Sequence, residues 1–179
     1  MHKEIIFAGF GGQGVLLAGK IVSIAAMLAG KNVSHIPSYG AEMRGGTANC
    51  SVVVSDDEIA SPIVERPNIC IVLNGPSLVK FEPRLKKGGI LIYNSSLIKD
   101  KPKRDDVEVF AINANEIAEK HGSARGVNMA ALGFLVKKVP AIAEIDSLIK
   151  ALDEAVSERN RKFNSVNAAI IKEAYNLLP

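Results

Sequence analysis

The sequence predicts a single α/β domain: a Rossmann-like doubly wound sheet with an antiparallel hairpin insertion and a helical C-terminus. Three observations carry that expectation. Short apolar runs of strand character alternate with helical stretches over most of the chain. A glycine-rich turn, Gly9-Phe10-Gly11-Gly12-Gln13-Gly14, joins the first of those runs to the first helix. From Val127 onward the pattern is helical only. A chain of 179 residues that is 47% hydrophobic suits one core of this kind. No repeat, low-complexity tract or linker divides residues 1–179, so one domain is expected.

Each element follows from local pattern. Glu4 to Gly9 reads as a buried strand, and Gln13 to Leu28 as a helix rich in Ala, Leu and Ile that ends at Gly30. Asn32 to Ile36 is a second short strand, stopped at Pro37. Together these form a βαβ unit. After the loop Ser38 to Gly46, the segment Thr47 to Ser55 alternates, with Ala48, Cys50, Val52 and Val54 on one face and Thr47, Asn49, Ser51 and Ser55 on the other. That period of two predicts a half-exposed antiparallel strand paired with Glu58 to Ser61. Ile69 to Asn74 and Ile90 to Asn94 are buried strands, separated by a short helix near Ser77 to Phe81 and a turn at Lys86-Lys87-Gly88-Gly89. Val107 to Ile112 is a further strand. Asn115 to His121 is a helix closing at Gly122, a glycine placed to cap it. Helices over Val127 to Lys138, Ile145 to Ser157 and Ser165 to Leu178 complete the chain.

Composition excludes several functions. A net charge of +3 is too small to imply nucleic-acid binding by itself. Tryptophan is absent and aromatics make up 5%, which argues against a surface for stacking bases. Cys50 and Cys70 lie in β-branched apolar runs with no Cys-x-x-Cys partner or nearby histidine, so they read as buried thiols of a reducing compartment. Iron–sulfur clusters need sets of cysteines, so none is expected on this chain. The N-terminus lacks the pattern of a signal peptide and no apolar run reaches membrane-spanning length; a cytoplasmic protein is expected.

Among the motifs, Gly9, Gly11 and Gly14 fit G-x-G-x-x-G, where glycines let a phosphate approach a helix N-terminus. Gly12 and Gln13 share the turn, and both a ligand contact and a packing turn account for it. A dinucleotide site would carry an acid at the end of the second strand, but Val33-Ser34-His35-Ile36-Pro37-Ser38 offers none. Gly14-Val15-Leu16-Leu17-Ala18-Gly19-Lys20 resembles a P-loop only by spacing, since Ile21 stands where Ser or Thr would hold magnesium. The loop Tyr39 to Gly46 is more specific. Gly40, Gly45 and Gly46 surround Glu42 and Arg44, and arginine grips phosphate or carboxylate bidentately. Ser38 and Tyr39 lead into this loop. Asn128 opens a helix and is read as a cap or a ligand contact. The histidines form no metal pair, and Ser38 and Ser61 lack an elbow context, so no catalytic set is expected. Lys80 to Arg104 holds eight basic residues against Glu82 and Asp100, a solvated face or a surface for a polyanion or acidic partner.

Three segments in order, Gly9 to Gly14, Ser38-Tyr39-Gly40-Ala41-Glu42-Met43-Arg44-Gly45-Gly46-Thr47 and Val127-Asn128-Met129-Ala130-Ala131-Leu132-Gly133, resemble the gamma subunit of 2-oxoacid:ferredoxin oxidoreductases. They equally resemble the gamma-type domain of fused pyruvate:ferredoxin oxidoreductases. The similarity covers essentially the whole chain. It implies an accessory role within an enzyme whose alpha and beta subunits and ferredoxin-like delta subunit convert a 2-oxoacid to acyl-coenzyme A, with ferredoxin as electron acceptor. Thiamine diphosphate, magnesium and iron–sulfur clusters are then expected on the partner subunits, since this sequence has neither a Gly-Asp-Gly run nor a cysteine cluster. Coenzyme A is the ligand the resemblance offers this chain. Its implied contacts are Gly9, Gly11, Gly12, Gln13, Gly14, Ser38, Tyr39, Gly40, Arg44, Gly45, Gly46 and Asn128. No activity is expected of the chain alone. The substrate stays open among 2-oxoglutarate, branched-chain acids, pyruvate and indolepyruvate. The alternatives are a free-standing NAD(P)-binding Rossmann oxidoreductase, and a structural module with a vestigial glycine turn.

Overall fold

A computed structural model describes residues 1–38 and 47–177. Its centre is one six-stranded sheet in the order β2-β3-β1-β4-β5-β6, formed by β1 (His2–Phe10), β2 (Asn32–Ser38), β3 (Thr47–Ser55), β4 (Ile69–Val72), β5 (Ile90–Asn94) and β6 (Glu108–Ile112). β1, β4, β5 and β6 run parallel. β3 is antiparallel to both its neighbours, β1 and β2. The helices are α1 (Val15–Leu28), α2 (Gly75–Phe81), α3 (Ala114–Lys120), α4 (Val127–Lys138), α5 (Ile145–Ala155) and α6 (Asn164–Tyr175).

The alternation of side chains along the strands divides the core in two. Ile5, Phe7, Cys50, Val52, Val54, Ile69 and Ile71 meet α1 and α3 to α6 on one face. Ile6, Ala8, Val53, Cys70, Val72 and Leu91 face the other way, towards Leu78 and Phe81 of α2 and the loop residues Val64, Leu85 and Ile98. Helices therefore flank both faces, but very unequally. The expected α/β sheet with a helical C-terminus is present, and the helical end packs on the thicker side. α1 closes at Gly30 (φ 76°) and α3 at Gly122 (φ 68°), the left-handed positions for which glycine carries no steric penalty.

Two expectations are corrected. Glu58 to Ser61 forms no strand, and β3 does not pair with it. β3 instead pairs along its whole length with β1, from His2 opposite Ser55 to Phe10 opposite Thr47, and with β2 on its other side. Alternation reveals a half-exposed strand but carries no information about its partner. A nine-residue register satisfies far more main-chain groups than a four-residue segment could. The antiparallel hairpin is therefore β2 with β3, and it places β3 between the two parallel strands of the first βαβ unit. β2 also runs through Pro37, which sits opposite Cys50. Proline is tolerated there because β2 is the sheet's outer edge.

Candidate functional site

The glycine turn sits at the C-terminal end of β1. Gln13 organises it: its Oε1 accepts the Phe10 amide (2.6 Å), its own amide is donated to the Phe10 carbonyl (3.1 Å), and its Nε2 donates to the Leu73 carbonyl (3.2 Å). β1 and β4 are adjacent, yet α1 leaves to one face of the sheet and α2 to the other. That divergence opens a crevice at the strand ends, the usual ligand position in open α/β sheets. The Gln13 side chain spans it. On the β4 side, buried Asn74 caps α2 by accepting the Ser77 amide (2.8 Å). Its Nδ2 and the buried Ser77 hydroxyl find no partner among the described residues.

The predicted turn residues fall into two groups. Gly9 is buried, and a Cβ there would lie 2.6 Å from Gln13 Oε1 and 3.2 Å from Leu73 Cβ. Gly14 adopts φ 73°, ψ 23° at the N-cap of α1, and a Cβ there would meet Asn128 Nδ2 at 2.5 Å. Asn128 is itself 2% exposed; its Nδ2 donates to the Gly14 carbonyl (3.1 Å) and its Oδ1 accepts the Met129 amide (3.1 Å). It is the second residue of α4 and does not cap that helix, whose N-cap is Gly126. Thus Gly9, Gly14, Gln13 and Asn128 all have internal partners. Gly11 and Gly12 are exposed, and Gly12 (φ 92°) has nothing within 4 Å of its Cβ position. Beside them Phe10, Leu16, Leu17 and Ala48 line a shallow apolar cleft of about 260 Å³. Ser38 is exposed at the end of β2, opposite Asn49. Tyr39, Gly40, Arg44, Gly45 and Gly46 lie outside the described residues.

One cluster carried no sequence signal. Gly19, in the second turn of α1, lets the helix settle on β2 and β3: a Cβ there would lie 2.5 Å from Cys50 Sγ and 2.9 Å from His35 Nε2. Cys50 donates to the Val15 carbonyl (3.3 Å), and burial pushes its thiol up to about 12. Cys70 is likewise pushed up to about 12 by burial, so both thiols are protonated and inert at neutral pH. His35 Nε2 is buried without a partner among the described residues. Burial first, and then the charge of Lys20, lowers its pKa below 6.5. The folded state therefore holds His35 neutral where the unfolded chain protonates it. That contribution is complete above pH 6.5 and is lost as pH falls from there through the folded value. Denaturant melts between about pH 5 and pH 7 should show stability rising with pH, more steeply for the native chain than for His35→Gln. Equal slopes would remove His35 from this role.

A family model for pyruvate ferredoxin/flavodoxin oxidoreductase matches residues 4–177. The chain belongs to that family. Within it, the chain is 40% identical over 133 residues to ketoisovalerate oxidoreductase subunit VorA of Methanothermobacter marburgensis, covering 74% of this chain and 28% of that one. It thus spans little more than a quarter of the length of that relative. It is 36% identical over 163 residues to 2-oxoglutarate synthase subunit KorC of the same organism, covering 87% of this chain and 85% of that one. The crystal structure of the keto/oxoacid ferredoxin oxidoreductase gamma subunit from Geobacter sulfurreducens PCA shares the fold with a TM-score of 0.85. It is 28% identical, with 98% of this chain and 95% of that one covered. All three relatives are subunits of enzymes named for oxoacids, two of them oxidoreductases by name. Among the described residues, no group of His, Cys, Asp or Glu is arranged to hold a metal ion, and no helix is long and apolar enough to cross a membrane.

Proposed function

We propose that this chain is the gamma-type accessory subunit of a cytoplasmic 2-oxoacid:ferredoxin oxidoreductase, contributing a coenzyme A-facing surface and subunit contacts rather than the reaction centre. The observation that supports this most strongly is the near full-length correspondence with a gamma subunit of that enzyme class. The thiamine diphosphate, magnesium and iron–sulfur centres belong to alpha, beta and ferredoxin-like delta partners, with ferredoxin as the acceptor. Two inert, separately buried thiols are no basis for a cluster on this chain.

The turn fits such a coenzyme at its tip. Gly12 presents main chain with nothing within 4 Å of its Cβ position, Gly11 beside it is exposed, and the adjoining cleft is apolar. A volume of about 260 Å³ lies below the range of sites that enclose a ligand unaided, so partner chains complete the site. Ser38, Tyr39, Gly40, Arg44, Gly45 and Gly46 are assigned to the same surface, with Arg44 on a phosphate. Gly9, Gln13, Gly14 and Asn128 are the scaffold beneath it. When bound, coenzyme A supplies the thiol that carries the acyl group away.

A free-standing NAD(P) enzyme is disfavoured by topology. In a dinucleotide fold the end of the second strand lies next to the first and offers an acid to the ribose. Here β3 intervenes, setting β2 a full strand spacing further away, and its end carries no carboxylate.

Arg44→Ala in the assembled enzyme tests the surface. The apparent KM for coenzyme A should rise by about tenfold or more, as expected for losing a charge-assisted hydrogen bond, with kcat nearly unchanged. An unchanged KM would remove Arg44 from the coenzyme.

A further inference from the structure

We propose that the free edge of β6 is a self-association site, at which a second copy of this chain adds antiparallel across a twofold axis. The sheet has two outer edges, and only one is protected. β2 carries Pro37 and the polar residues Asn32, Ser34, His35 and Ser38. β6 reads Glu-Val-Phe-Ala-Ile, with neither proline nor lysine to discourage pairing. Glu108 donates its amide to Gly89 (2.8 Å) and Ile112 gives its carbonyl to Ser95 (2.9 Å). The peptide groups of Glu108, Phe110 and Ile112 therefore face β5, and those of Val109 and Ala111 face outward. No partner strand lies on that side among the described residues. Val109 is 37% exposed.

The edge is also self-complementary. Centring an antiparallel pair on Phe110 sets Val109 of one copy opposite Ala111 of the other, with their outward peptide groups in register. Phe110 then faces Phe110, and Glu108 faces Ile112 rather than another acid. Beside the edge runs a groove of about 540 Å³ floored by Phe110, Ile117, Phe134 and Leu177. Its rim carries an acid, Glu116, at one end and at the other Lys120, which is paired with Glu173 of α6 at 2.8 Å. Glu116 stands at the Asn113 end, within reach of the Asn113 amide (3.3 Å), and Lys120 stands one helical turn further along α3. An antiparallel twofold reverses that order in the second copy, so each Glu116 lies alongside the other copy's Lys120. Pairing would join the two sheets into one and cover both grooves, the isologous arrangement commonest among homodimers.

The inference stands independently of the enzymatic role and is tested on residues 1–179 alone, by sedimentation equilibrium over a dilution series. The native chain should show a reversible monomer–dimer equilibrium. Ala111→Pro removes only an outward amide, so it should keep the native circular dichroism while raising the dimer Kd by at least about tenfold. Val109→Lys, which leaves the strand's own ladder intact, should do the same and decides the matter if the proline variant fails to fold. A native chain that stays monomeric throughout overturns the proposal, including the case in which another subunit takes this edge. So does a dimer that both folded variants leave equally tight.

Discussion

Gly133→Ala is expected to destabilise the protein by about 2 kcal/mol net, even though alanine is the better helix former. Gly133 lies in the middle of α4, wholly among buried residues, and α4 against α6 is the most extensive helix–helix contact in the chain. A Cβ at this position falls on the Ile171 carbonyl oxygen, with the carbonyl carbon at 2.9 Å and Cα at 3.1 Å. All three are backbone atoms of a helix, so no rotamer change relieves them; the helices must separate. At an unobstructed helical site the same substitution gains about 1 kcal/mol from propensity. Here overpacking outweighs that gain. Gly75→Ala is the control: nothing beyond its chain neighbours lies within 4 Å of its Cβ position, and only the restriction that Pro76 places on the preceding residue opposes the change. Urea unfolding should show a much lower midpoint for the first variant and a near-native one for the second, with similar m values. If both behave alike, α4 and α6 do not touch as closely as described.

Gly14→Ala should be at least as damaging, at roughly 2–5 kcal/mol, and for two separable reasons. The left-handed conformation costs an L-residue about 1–2 kcal/mol, and the added methyl meets the Asn128 side chain, which overpacking makes worse by about 1–3 kcal/mol. Gly12→Ala isolates the first term: its φ is also positive but its surroundings are open, so about 1–2 kcal/mol is expected. Asn128→Ala removes the second. Combined with Gly14→Ala it should cost less than the sum of the single changes, because the group struck by the methyl is gone. Strict additivity would mean that Asn128 does not set the shape of the turn.

These two glycines mark the boundary of what is legible in the sequence. Local pattern is enough for β4 and β5 and for the central apolar runs of β1 and α4, Ile5 to Ala8 and Met129 to Val136. It is enough for the alternation of β3 as well. The partner of β3 is different, since β1 lies some forty residues away and only the folded sheet brings Gly9 opposite Ala48. The glycine motif is visible from its spacing, but spacing cannot separate Gly14, held against Asn128 from 114 residues away, from Gly12, which faces open space. Likewise the Gly19, His35 and Cys50 contact joins three elements with no shared motif. Family resemblance places the chain in its family because it compares whole chains. It does not say which glycines are structural.

The proposed role leaves the redox reaction to other polypeptides and gives this chain a surface for them and for the coenzyme. The most direct measurement is 2-oxoacid-dependent, coenzyme A-dependent reduction of ferredoxin by the purified chain, set beside the complex co-purified gently from its native cells. No turnover is expected from the chain alone, and full activity from a complex containing thiamine diphosphate and iron–sulfur centres. Turnover by the isolated chain, or its recovery from native cells without such partners, would contradict it.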